Sequence, residues 1–66
     1  MIKSELMMSI YNLPEKSAVV KKYKNGYSVE IYGKSHITPC FILKFNSMRR
    51  VDLFLAGVHI TKIKII

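Results

Sequence analysis

Ser47-Met48-Arg49-Arg50-Val51-Asp52-Leu53-Phe54-Leu55-Ala56-Gly57 decides between two folds for this chain. Coiled, the stretch places Met48, Val51, Phe54 and Leu55 on one stripe, with Ser47 as cap and Gly57 as stop. Extended, it alternates Val51, Leu53 and Leu55 against Arg50, Asp52 and Phe54. A helix here would set Arg49 and Arg50 in its first turn, against the macrodipole. It would also be short enough to depend wholly on packing. The extended form is therefore favoured, with a strand expected over 48–56.

The neighbouring segments fit a sheet. Val58 to Ile66 is rich in β-branched residues (Val58, Ile60, Thr61, Ile63, Ile65, Ile66) and reads as a last strand. Upstream, Pro39 can open a strand. Phe41, Leu43 and Phe45 then alternate with Cys40, Ile42 and Lys44, so both faces are largely apolar and this strand is expected to be central. Residues 18–24 and 27–33 flank Asn25-Gly26, the strongest hairpin signal in the chain. A two-residue turn would set Tyr27, Val29 and Ile31 opposite Lys24, Lys22 and Val20. A three-residue loop would set them opposite Tyr23, Lys21 and Val19, and this register aligns more apolar groups. Before the hairpin, Ile2, Leu6, Met7 and Ile10 fall near helical spacing. Ser4 can cap that segment and Asn12-Leu13-Pro14 can stop it, so a short N-terminal helix is expected over 3–12.

Length and charge bound the function. Sixty-six residues allow one domain, 1–66, with a thin core. Lys+Arg outnumber Asp+Glu by 11 to 4, a formal charge of +7, and the cations are spread along the chain with Tyr11, Tyr23, Tyr27, Tyr32 and Phe41 among them. Cations interleaved with rings suit single-stranded nucleic acid, where phosphates meet the charges and bases stack. The same composition also describes a protein that uses Lys as its general surface residue. A single Cys excludes an internal disulfide or a multi-Cys zinc site. No apolar run approaches a membrane span, and no signal-peptide segment stands at the start, so a cytoplasmic protein without membrane partners is expected. Glu5, Glu15, Glu30 and Asp52 are too scattered for paired-carboxylate chemistry, and no Gly-rich phosphate loop is present. Neither catalysis nor a cofactor is expected. His36 and His59 have no ligand-spaced partner and read as solvated or packed imidazoles; Cys40 reads as a small buried hydrophobe.

A helix followed by five strands, with a hairpin after the first, resembles the Sm-like fold and in particular the bacterial Hfq-type RNA chaperones. The residues that carry the likeness are Val19-Val20-Lys21-Lys22-Tyr23-Lys24-Asn25-Gly26, then Tyr27-Ser28-Val29-Glu30-Ile31, then Phe41-Ile42-Leu43-Lys44-Phe45-Asn46-Ser47, and Ile60-Thr61 opening the last strand. Leu55-Ala56-Gly57 stands where that family carries Tyr-Lys-His. The resemblance implies a mostly β fold: a short N-terminal α-helix and a strongly bent five-stranded antiparallel sheet forming a small open barrel. It implies a homo-oligomeric ring, a hexamer, closed by the fourth strand on a neighbour's fifth. It also implies binding of A- or U-rich single-stranded RNA, as an RNA chaperone or post-transcriptional regulator. Its distal-face bases would stack near Lys22, Tyr23, Tyr27, Ser28 and Val29, and a proximal-face uracil on Phe41. Plain strand packing is the alternative for Tyr23 and Tyr27, and core packing for Phe41. Arg49 and Arg50 either hold a phosphate at the rim or are solvated. The rival function is a small phage- or plasmid-type ββαβ protein that binds and inhibits a host enzyme. It takes 48–56 as helix and docks through the last strand's edge or through Arg49-Arg50. A monomeric DNA-binding module is the third possibility.

Overall fold

The computed structural model describes residues 5–35 and 37–66. Along the chain run α1 (Glu5–Tyr11), β1 (Ser17–Tyr23), β2 (Gly26–Tyr32), β3 (Phe41–Phe45), α2 (Met48–Gly57) and β4 (Ile63–Ile65). The strands make one open, mixed sheet in the order β3-β2-β1-β4. Both hairpin contacts are antiparallel, whereas β4 lies parallel to β1. A mostly β chain with an N-terminal helix is thus what forms, but the sheet has four described strands and does not close.

The expected strand over 48–56 is a helix. Ser47 sits in an extended conformation and its Oγ accepts from the Arg50 backbone N–H at 3.3 Å, a side-chain N-cap. Such a cap contributes about 0.5–2 kcal/mol. Val51 and Leu55 are buried on the inner stripe, and fully burying such side chains contributes roughly 1.5–3 kcal/mol each. Two exposed arginines at the positive end of the helix cost about 0.3–1 kcal/mol apiece, so the cap and the stripe outweigh them. The helix closes in a Schellman arrangement. Ile60 N–H donates to Leu55 O at 3.0 Å, His59 N–H donates to Ala56 O at 3.2 Å, and His59 takes the left-handed position at φ 58°. Ile60 and Leu55, the two residues such a cap brings together, are both buried. That cap consumes the start of the expected last strand, so only Ile63–Ile65 remains to pair with β1.

Strand alternation and pairing sort the side chains onto two faces. The inner face carries Ala18, Val20, Val29 and Ile31, which pack with Ile10 of α1, with Val51 and Leu55 of α2, and with Val58 and Ile60. Phe41, Leu43 and Phe45 flank this core, and the Phe45 and Phe54 rings meet at 5.2 Å. The core therefore lies on one side of the sheet only. β3, expected to be central, is an edge strand. Its inner residues Phe41, Leu43 and Phe45 are half-buried, while Ile42 and Lys44 point to the other face and are exposed. Cys40, just before β3, is exposed, not buried.

The hairpin register is neither of the two expected. Tyr23 pairs Gly26 across a Lys24-Asn25 turn, so Tyr27, Val29 and Ile31 face Lys22, Val20 and Ala18. This shift matches Val20 to Val29, both fully buried. Gly26 explains the choice of turn: its φ is +152°, and a Cβ there would lie 2.5 Å from the Phe45 carbonyl oxygen. Only glycine lets the turn approach β3 so closely. In α1, Ile10 is buried and Met7 packs against the core, but Leu6 is exposed. The expected contributions of Ile2 and Ser4, like that of His36, lie outside the described residues.

Candidate nucleic-acid interface

With both helices packed on the inner face, no described helix covers the outer face of the sheet. Register lays it out in rows. At the hairpin end, Tyr23 faces Gly26. In the next row Lys21, Ser28 and Lys44 lie side by side across three strands. The row after that runs Lys64, Val19, Glu30, Ile42, and Ser17 faces Tyr32 beyond it. Along β2 the outer residues Gly26 and Ser28 are small. Their neighbours on β1 and β3 are Tyr23, Lys21 and Lys44, so the centre of the face is a shallow trough about 10 Å across from β1 to β3.

At the hairpin end the trough opens into a cleft of about 270 Å³ lined by Tyr23, Asn25, Gly26, Tyr27, Lys44, Phe45 and Asn46. Three aromatic residues, two asparagines and a lysine contribute to its lining, the Phe45 ring also packing on Phe54 of α2. Tyr23 is 54% exposed, so about half of its surface is open to solvent. The glycine that the turn requires is also what leaves the cleft its floor.

Among the described residues Glu30 is the one acidic side chain on this face. The other acids lie elsewhere: Glu5 in α1, Glu15 before β1 and Asp52 in α2. Lys21 Nζ approaches Glu30 Oε2 at 3.1 Å, and Tyr32 Oη donates to Glu30 Oε1 at 2.9 Å. The hydrogen bond from Lys21, and then that from Tyr32, hold the Glu30 carboxyl below its usual range. Reciprocally, the Glu30 hydrogen bond raises Lys21 and raises the Tyr32 phenol. Each of these shifts favours the charge state the group already has at neutral pH.

The residues expected from the sequence divide between the faces. Tyr23 and Ser28 lie on the outer face, Ser28 almost wholly covered. Lys22 and Tyr27 pair across the hairpin on the inner side, where Tyr27 still reaches the cleft. Val29 is 0% exposed and offers no surface to a ligand. Phe41 is half-buried against the core. Arg49 and Arg50 are exposed in the first turn of α2, in the helical layer and not on the open face. The site residues expected from the sequence do not include Lys44, Lys64, Asn46 or the clasp of Lys21 and Tyr32 on Glu30. Period-two alternation would have found the outer set, since Lys21-Tyr23, Ser28-Glu30-Tyr32 and Ile42-Lys44 each lie two residues apart.

No family model matches the chain, and neither the curated proteins nor the solved structures contain a match. Among the described residues no helix is long and apolar enough to cross a membrane.

Proposed function

We propose that this protein binds single-stranded RNA on the open face of its sheet, with phosphates on Lys44 and Lys64 and one base in the cleft beside Tyr23. The observation that carries the reading is the one-sided core. It leaves a face whose free cations are lysines, whose single acid is already engaged, and whose end holds an aromatic cleft. Stacking on an open ring needs an unpaired base, which favours a single strand over a duplex. A strand held this way is kept from pairing, the physical basis of an RNA chaperone or a post-transcriptional regulator. The ring implied by the Sm-like resemblance is not part of the proposal, because its closure needs an extended 48–56 and that stretch is α2.

The test is fluorescence anisotropy with a labelled single-stranded RNA 12-mer at several salt concentrations. Tyr23→Ala removes a stacking contact of about 1–3 kcal/mol, a loss of roughly five- to 150-fold. Lys44→Gln makes the slope of log K against log[salt] shallower by about 0.7. Unchanged binding in both variants removes the reading.

One observation favours a second reading, docking on a host protein. β4 is a three-residue edge strand whose Ile63 and Ile65, with Ile66 beyond it, are exposed. A free edge with apolar side chains suits strand addition by a partner. Its mark is toxicity on expression that Ile65→Lys abolishes and Lys44→Gln leaves intact.

A further inference from the structure

The clasp on Glu30 bears on how many cations the open face can use. Lys21 stands beside Ser28, with Lys44 on the far side of the trough, so by position it belongs to the phosphate row. By bonding it does not, because its ammonium group already faces a carboxylate at 3.1 Å. Tyr32 steadies that carboxylate from the opposite oxygen, and the Glu30 side chain is only 17% exposed, against 38% for Lys21. A carboxylate held by an ammonium and a phenol offers the same contacts a phosphate oxygen would. We propose that Glu30 occupies the phosphate position of Lys21, withholding that lysine from a bound strand and limiting the affinity of the face. This inference rests on the RNA-binding reading above and names a residue that sets its strength.

The arrangement makes the effect countable. One more phosphate contact on a single strand steepens the salt slope by about 0.7. Referred to 1 M salt, that amounts to about eightfold tighter binding at 50 mM and about threefold at 200 mM. Glu30→Gln keeps the shape and an oxygen for the Tyr32 hydroxyl but releases Lys21. The experiment titrates wild type, Glu30→Gln, Lys21→Gln and the double variant into the labelled RNA 12-mer at 50 and 200 mM salt. Circular dichroism confirms that each variant is folded at the assay temperature. Glu30→Gln is expected to bind about eightfold and about threefold tighter at the two salts. Lys21→Gln alone is expected to change affinity less than twofold, and the double variant to lose the gain. Tighter binding that survives in the double variant, whose net charge equals that of wild type, overturns the proposal, since it would then reflect the lost repulsion of Glu30 and not a released Lys21. So does an unchanged or weaker Glu30→Gln, or a Lys21→Gln defect as large as that of Lys44→Gln. If wild type binds but these variants behave otherwise, this inference alone falls. If no variant binds, the RNA-binding reading falls with it.

Discussion

Replacing Val51 and Leu53 separately by alanine separates the two conformations that the 48–56 stretch can take. In α2 the two residues lie on different sides. Val51 is fully buried, whereas Leu53 is 65% exposed. In an extended strand they would share a face and be buried alike. Val51→Ala removes two methyl groups, about 1.6 kcal/mol at ~0.8 per group. An unrelaxed cavity adds up to about 1 kcal/mol, for a total near 2–2.5. In a domain of this size each kcal/mol lowers Tm by about 4–8 °C, so the expected drop is roughly 8–20 °C. Leu53→Ala gives up little burial and places a better helix former on an exposed face, so it should stay within about 0.5 kcal/mol of wild type. Urea titration followed by circular dichroism at 222 nm measures both, and an equal m-value certifies that stability and not the unfolded ensemble has changed. Comparable losses in the two variants would refute the helical packing, and with it the one-sided core that leaves the outer face open.

Three further outcomes follow from particular contacts. Gly26→Ala should destabilise by roughly 1–3 kcal/mol, read by thermal melting, because its φ is unfavourable for a side chain and the new methyl group meets the Phe45 carbonyl. Glu30 titrates lower in the folded chain than the value of about 4.3 expected when unfolded. Its contribution is therefore present above the unfolded value and lost as pH falls through the folded one. Glu30→Gln should flatten the acid limb of stability against pH, and an unchanged limb would mean the clasp does not hold in solution. Native mass spectrometry in volatile buffer should show a 7.6 kDa monomer and not a sixfold assembly, since the ring-closing strand is a helix.

Local signals carried part of this fold. Asn25-Gly26 placed the hairpin within a residue, because only glycine satisfies the turn, and Pro14 bounded the N-terminal helix. Ser47 and the Met48-Val51-Leu55 stripe are equally visible in the sequence, and they outweigh two arginines whose penalty is small when exposed. The remaining misses are non-local. The apolar pattern of Phe41–Phe45 reads the same in a central strand as at an edge with Ile42 exposed, because what covers a strand is decided by segments far away in sequence. The hairpin register depended on matching Val20 to Val29 under α1 and α2. A slip of one residue moves Tyr23 relative to Tyr27, and so redistributes the candidate site between two faces. Thus aromatic and basic character were legible, while the row of Lys21, Ser28 and Lys44 needed the register.

The open face is tested most directly by titrating the wild-type protein into one labelled RNA 12-mer, single-stranded and annealed to its complement, at 50 and 200 mM salt. Phosphate contacts from Lys44 and Lys64 with a base in the cleft predict tighter binding to the single strand and a log–log salt slope of about −1.4 or steeper. Equal affinity for the duplex, or no binding to the single strand at 50 mM salt, would contradict it.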